Sequence, residues 1–140
     1  MRRIVGLSIF LAVLFLNRAG AADDTRPFDG VWNTSLTCST TLGALGYSYQ
    51  FTSTVKNGVL HGERLVKGQP GWLELDGTIQ PDGKASLHAM GIVGERKHAL
   101  GQEPAGTPYA YQIVGQFTAK EGTGKRVKSR PCKVSFTKNE

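Results

Sequence analysis

The sequence predicts an all-β fold: an antiparallel up-and-down barrel of seven to eight strands, closed by one disulfide. Three observations predict it. Apolar and polar residues alternate with a period of two in segments that recur roughly every 10–14 residues. Short turns rich in glycine, proline and asparagine join most of these segments. The two cysteines, Cys38 and Cys132, lie in the first and last predicted strands, so a bond between them would join the two ends of the sheet.

Residues 1–22 are predicted to be a signal peptide. Arg2 and Arg3 form a basic start before an apolar run over residues 4–16, and small side chains follow at 19–22, where a signal peptidase would cleave. The apolar run is shorter than the roughly 20 residues of a membrane-spanning helix. We therefore expect a periplasmic or secreted protein with no transmembrane segment and a single domain over residues 23–140.

Alternation along the chain defines the individual strands. The second strand is the clearest, because Tyr47, Tyr49 and Phe51 face one way while serine, glutamine and threonine face the other. Asn57-Gly58 follows it and favours a type I′ turn, so the next segment should fold back as its hairpin partner. In order, the strands are predicted over residues 31–38, 47–55, 59–65, 72–79, 85–93 and 109–118, before a last segment that ends at Phe136.

The second half of the chain leaves one strand unassigned. Residues 94–107 form a long irregular loop, and Gly122-Thr123-Gly124 is predicted to turn the chain into its last segment. Antiparallel closure of a barrel requires an even number of strands, whereas seven are clear. The eighth comes either from a break near Pro131 or from part of residues 95–100, and the sequence leaves both open.

The disulfide fixes how the first and last strands would pair. If the two cysteines face each other in an antiparallel pair, Leu36 lies opposite Val134 and Thr34 opposite Phe136. Pairing of the end strands closes the barrel and removes its edges. An even cysteine count in an exported chain favours this bond over a reactive or metal-binding pair.

Basic residues concentrate near the C-terminus. The full chain has a net charge of +6, and half of the basic residues outside the predicted signal peptide lie after Ala119, where only Glu121 and Glu140 oppose them. Such a stripe could bind anionic envelope polymers. The alternative is a solvated strand face whose lysines discourage strand-to-strand aggregation. The stripe consists of Lys125, Arg126, Lys128, Arg130 and Lys133.

The segment Phe28-Asp29-Gly30-Val31-Trp32 resembles the opening strand of the calycins, the barrel group that includes lipocalins and avidins. Their first strand carries Gly-x-Trp, which Gly30 and Trp32 match. The resemblance implies a basic residue on the last strand that packs across the tryptophan, and Arg126 or Arg130 would fill that role. The polar residues that avidins use for biotin are absent, so biotin binding is not implied.

The chain also resembles small uncharacterised exported proteins of Gram-negative bacteria that open with F-D-G-x-W and close with R-P-C. This resemblance runs from Phe28 to Phe136 and implies no particular activity.

Candidate catalytic and metal-binding residues are few. His61 and Glu63 lie two apart on one strand face and could bind a divalent metal with a third ligand, while His88 lies on another strand. We expect these to be ordinary surface residues and assign no metal and no cofactor. Glu74 and Asp76 share a strand face that should point to water. There is no G-x-S-x-G and no helix to follow a phosphate loop, so no catalytic residue is assigned.

Aromatic residues favour a binding function. Eight aromatic residues are expected to face inward, and those expected to contact a ligand are Trp32, Tyr47, Tyr49, Tyr109 and Tyr111. The other three are Phe51, Phe117 and Phe136. Buried tyrosines need partners for their hydroxyls, so the interior could hold a small apolar or aromatic ligand, the alternative being a plain packed core.

The predicted function is therefore an exported, non-enzymatic barrel that binds a small ligand or a partner. An inhibitor or interaction protein acting through the 94–107 loop is the alternative, as is binding of anionic polymers by the basic stripe.

Trp72 is out of phase with Leu73 and Leu75 and should be a rim residue or an exposed anchor.

Overall fold

The computed structural model describes residues 25–140, so the predicted signal peptide lies outside the described residues. These residues form a closed barrel of eight strands, in which each strand pairs antiparallel with the next and β8 pairs with β1. The predicted fold class is confirmed. The strands are β1 Gly30–Cys38, β2 Tyr47–Lys56, β3 Val59–Arg64, β4 Leu73–Ile79, β5 Lys84–Ile92, β6 Pro108–Phe117, β7 Glu121–Arg126 and β8 Cys132–Lys138.

The β1–β8 pairing closes the barrel in the predicted register. Cys38 lies opposite Cys132, and the two form the predicted disulfide. Leu36 lies opposite Val134, and farther along Thr34 lies opposite Phe136. The bond therefore ties together the two strands that are farthest apart in the sequence.

The eighth strand comes from a break in the C-terminal segment. The chain leaves β7 after Arg126 and re-enters the sheet at Cys132, so the break near Pro131 is the alternative that holds. Residues 95–100 contribute short 3-10 turns instead. The prediction of a turn at residues 122–124 was wrong, because these residues lie inside β7 and the turn is at 118–120, where Thr118 Oγ1 accepts a hydrogen bond from the Glu121 N–H.

The predicted β2–β3 hairpin is present. Asn57 and Gly58 have φ angles of 50° and 74°, the positive values that a type I′ turn needs. Lys56 and Val59 pair directly across this turn.

One end of the barrel, here called the closed end, is filled by aromatic rings. The 3-10 turn Arg26–Phe28 covers it, and the Trp32 indole N–H donates to the Phe28 carbonyl at 2.9 Å. The Phe117 ring packs against Trp32 at 5.3 Å and against Phe136 at 4.8 Å between centroids. Trp32 is fully buried, so this end is a packed core.

Among residues 25–140, no helix is long and apolar enough to span a membrane.

Candidate functional site

The other end of the barrel, here called the open end, holds a cavity of about 340 Å³. This volume lies within the range of roughly 300–1,000 Å³ that is common for small-molecule sites. The disulfide lies at the same end, because β1 ends and β8 begins there. Strand alternation turns the terminal residues of β2, β3, β6 and β7 inward, so that Tyr47, Tyr49, Arg64, Tyr109 and Arg126 line the cavity. Polar side chains from the loops complete the lining: Glu95, His98, Glu103, Thr107 and Arg130.

Tyrosine rings form much of the cavity wall. Tyr47 and Tyr49 lie 4.7 Å apart, and Tyr109 stacks almost parallel to Tyr111 at 6.1 Å. Burial raises the pKa of Tyr47, Tyr109 and Tyr111 above the ordinary tyrosine value, and neighbouring tyrosines add to the effect. These phenols therefore stay neutral at physiological pH.

Three arginines stack on these tyrosine rings, and the loosest contact is that of Arg130, whose guanidinium carbon lies 5.3 Å from the centre of the Tyr47 ring. The guanidinium carbon of Arg64 lies 3.7 Å from the centre of the Tyr49 ring, and that of Arg126 lies 4.2 Å from the Tyr111 ring. All three distances are within the range of cation–π contacts. Arg64 also donates to the Gly71 carbonyl at 2.6 Å, which holds its side chain across the cavity edge.

Arg130 fixes the backbone around the cavity. Its side chain is buried and donates to three carbonyls, those of Ala44, Leu45 and His98, at 2.7–2.9 Å. Two of these carbonyls belong to the β1–β2 loop and one to the loop between β5 and β6. Because a buried guanidinium needs acceptors, this arrangement holds the two loops together.

The loop over residues 93–107, here called the covering loop, folds back over the open end. The Leu45 N–H donates to the Lys97 carbonyl at 2.8 Å, and the Gln102 amide donates to the Gly43 carbonyl at 3.0 Å. His98 Nδ1 lies 3.1 Å from the Leu45 carbonyl oxygen. The tip of the covering loop, residues 101–106, is exposed. The flanks of the predicted long loop are therefore fixed to the barrel.

Buried polar atoms near the cavity lack partners. The Nε atoms of Arg126 and Arg130 and the Tyr111 hydroxyl are buried, and none has a hydrogen-bond partner. Unsatisfied buried donors are costly, so a ligand that supplied acceptors to them would be stabilised here.

The predicted site residues divide between the two ends. Tyr47, Tyr49, Tyr109 and Tyr111 lie at the open end, whereas Trp32 belongs to the packed closed end. The interior is therefore partly packed and partly hollow. Tyr47, Tyr49 and Tyr109 line the cavity, and Tyr111 stacks on Tyr109 within the buried core.

The Gly-x-Trp motif has a cation partner on the last strand. Lys138 Nζ lies 5.5 Å from the centre of the Trp32 ring and donates to the Pro27 carbonyl at 2.8 Å. A side chain at Gly30 would meet the Lys138 stem at 2.8 Å, so glycine leaves room for it. The cation that contacts Trp32 is thus Lys138, because Arg126 and Arg130 stack at the open end on Tyr111 and Tyr47.

The predicted basic stripe is divided between two faces. Lys125 and Lys133 lie opposite each other on the exposed face of β7 and β8, and Lys128 is exposed in the turn between those strands. Arg126 and Arg130 turn toward the cavity. The exposed stripe therefore contains three lysines, fewer cations than the sequence suggested.

The outer wall brings His61 close to two carboxylates. His61 Nδ1 is hydrogen-bonded to Asp76 Oδ1 on the neighbouring strand, and the donor atoms of His61, Glu74 and Asp76 lie within 4.8 Å of one another. His88 lies opposite Asp76 on β5. These residues could hold a metal, but the Asp76 contact already occupies Nδ1. Hydrogen bonding to Asp76 raises the pKa of His61, and burial with the adjacent Asp76 carboxyl raises that of Glu74.

Trp72 is buried and hence not an exposed anchor. Its indole N–H donates to Glu63 Oε1 at 2.8 Å, and Lys67 Nζ lies 5.6 Å from its ring centre. Glu63 thus contacts both Trp72 and His61, because its other carboxylate oxygen, Oε2, lies 3.9 Å from His61 Nε2, at the edge of the group formed by His61, Glu74 and Asp76.

Sequence reasoning missed Arg64, and it assigned Arg126 to Trp32 or to the basic stripe and not to the cavity. Each arginine lies on the inward face of its strand, at alternate positions from buried residues. Arg64 follows Leu60 and Gly62 on β3, and Arg126 follows Gly122 and Gly124 on β7. That phase was the available signal.

Comparison with known proteins finds no matching family model, no similar curated protein and no similar solved structure.

Proposed function

We propose that this protein is an exported, non-enzymatic barrel that binds a small ligand with a ring or other apolar body in the cavity at its open end. One observation carries the proposal: a cavity of about 340 Å³, walled by tyrosine rings, sits above a core that is fully packed at the other end. An eight-stranded barrel has room for one small ligand when its interior side chains do not fill it.

The rim of the cavity supports an apolar ligand body. Leu65 borders the cavity and is 60% exposed, and Val66 beside it is 68% exposed. Exposed apolar side chains grouped around a cavity are typical of ligand entrances.

The disulfide supports the export part of the proposal. Structural disulfides form and persist mainly in oxidising compartments, and Cys38–Cys132 closes the barrel. A periplasmic or secreted location accounts for this bond. The Lys138–Trp32 contact next to Gly30 supports a calycin-like relationship.

The test uses two fluorescent ring probes, neutral N-phenyl-1-naphthylamine and its sulfonated analogue 1-anilinonaphthalene-8-sulfonate. At least one should bind with saturable one-to-one stoichiometry, and amide chemical-shift changes should map to the open end. Tyr49→Ala and Tyr109→Ala should abolish binding because each removes a wall of the cavity. Val114→Ala, on the exposed face of β6, is the matched control. The proposal fails if neither probe binds, or if both tyrosine variants bind as the wild type does.

A second candidate function is binding of a partner protein through the covering loop. Its flanks are hydrogen-bonded to the barrel while the tip over residues 101–106 is exposed, as in a presented binding loop. A short glycine linker in place of residues 101–106 should then abolish co-purification of a partner from the envelope while leaving probe binding intact. Retention of the partner by this variant would contradict the idea.

A further inference from the structure

We infer that the ligand of the open-end cavity is an anion, an apolar or aromatic body carrying one carboxylate or similar oxyanion that Arg126 binds. The inference rests on the proposed function and specifies its ligand class.

Three guanidiniums border the cavity without a carboxylate partner. Arg64, Arg126 and Arg130 form no ion pair in the part of the chain that the structure describes. Two glutamates line the cavity at the covering loop, and both are exposed. One of them, Glu95, is paired with Lys97 at 2.9 Å. The positive charge of the wall is thus left without a matching negative charge inside it.

The three arginines have different amounts of hydrogen-bonding capacity left. Arg130 uses its terminal nitrogens on three backbone carbonyls, and Arg64 donates to the Gly71 carbonyl. Arg126 forms no side-chain hydrogen bond within residues 25–140, and its Nε is buried. A guanidinium has five N–H donors in a planar fork that matches an oxyanion. Arg126 is therefore the residue best placed to hold the charged group.

The surroundings of Arg126 favour an anion over other ligands. The guanidinium stacks on the Tyr111 ring, whose buried hydroxyl also lacks a partner. Burial keeps the tyrosines around the cavity protonated, so they can donate to an oxyanion and add no negative charge. A cationic ligand would meet like charge, and a neutral apolar ligand would cover the guanidinium without supplying an acceptor.

The test compares the affinities of the same two probes, which share their rings and differ by the sulfonate. We expect the sulfonated probe to bind about tenfold tighter than the neutral probe, because its charged group forms charge-assisted hydrogen bonds. In Arg126→Gln this preference should disappear while the affinity for the neutral probe changes less than about twofold. Lys125→Gln is the matched control, since it removes one positive charge at the adjacent residue on the outer face of β7.

Two further measurements keep the inference falsifiable. Naphthalene-1-carboxylate should displace the bound sulfonated probe, whereas naphthalene-1-carboxamide should not, which extends the result from sulfonate to carboxylate. If Arg126→Gln does not fold, Arg126→Lys takes its place in the test. Lysine keeps the charge but loses the planar fork, so this variant should retain only part of the preference for the sulfonated probe. Thermal unfolding of each variant reports whether it is folded.

The outcomes separate the inference from the proposed function. The anion inference is overturned if the wild type binds the two probes with equal affinity, or if Arg126→Gln and Lys125→Gln lose the preference for the sulfonated probe to the same extent. The cavity would still stand as a ligand site. Absence of binding for both probes overturns the proposed function and the inference with it.

Discussion

The two ends of the barrel are built from the same eight strands but use their aromatic residues differently. At the closed end, Trp32, Phe117 and Phe136 are almost completely buried and pack against one another. At the open end the rings are tyrosines, and arginines lie against three of them. Phenylalanine needs only neighbours, whereas a buried hydroxyl needs a partner. The type of ring thus distinguishes the packed end from the hollow one.

The largest expected effect is the loss of a ring from the closed end. Phe136→Ala should lower the free energy of unfolding by about 3–5 kcal/mol, because it leaves a cavity in a packed core. Tyr49→Ala at the open end should cost only about 1–2 kcal/mol, since Tyr49 is half-buried beside existing empty space. Urea unfolding of both variants measures the difference.

The same pair of variants should show the opposite order in ligand binding. Under conditions where Phe136→Ala is folded, its affinity for the sulfonated probe should match the wild type, and Tyr49→Ala should have lost it. If Phe136→Ala weakens binding as much as Tyr49→Ala does, the two ends are coupled and the division between them does not hold.

The sequence predicted the closure of this barrel better than the contents of its open end. The assumption that the cysteines face each other set the β1–β8 register, and the structure has that register. The same register also places Lys138 opposite Trp32, the contact that the calycin resemblance had assigned to an arginine. Strand register was a better guide than residue type to the cation that contacts Trp32. Register fixes which residue lies opposite the tryptophan, whereas several basic residues near the C-terminus could satisfy the motif.

The site itself needed three-dimensional information. Tyr47 and Tyr111 were expected inside, but nothing in the alternation distinguishes a tyrosine above a cavity from one in a packed core. The role of Arg130 depends on carbonyls of Ala44 and His98, which lie 86 and 32 residues away in the chain. Contacts between loops of this kind leave no periodic signal in the sequence.

Alkaline pH should weaken the open end selectively. The tyrosines Tyr47, Tyr109 and Tyr111 have pKa values raised by burial in the folded state, so the folded state holds their protons more tightly than the unfolded chain does. Their contribution to stability is complete below the unfolded pKa of about 10 and is lost as the pH rises above it. Each tyrosine should then lower the free energy of unfolding by up to about 1.4 kcal/mol per pH unit.

Substitution by phenylalanine tests this alkaline effect. Tyr111→Phe removes one ionisable group and a buried hydroxyl without a partner. It should flatten the decline above about pH 10 and leave stability at neutral pH unchanged or raised by up to about 1 kcal/mol. Unfolding midpoints in urea between pH 8 and about 11 provide the measurement. An unchanged slope in Tyr111→Phe would show that this hydroxyl ionises freely in the folded protein.

The smallest effect is expected on the outer wall, which belongs to neither end. The hydrogen bond to Asp76 raises the pKa of His61, so the protonated imidazole stabilises the folded state below the ordinary value of about 6.5 and this stabilisation is lost as the pH rises through the raised value. Both side chains are about half exposed, so solvent screening should limit the effect to a few tenths of a kcal/mol, roughly the size of a surface ion pair. Asp76→Asn should lower the His61 pKa, which an NMR titration of the imidazole proton shifts measures. The affinity for the probes should be unchanged. If the affinity for the probes changes as well, the outer wall around His61 is coupled to the cavity, and the difference between the two ends is not confined to their own residues.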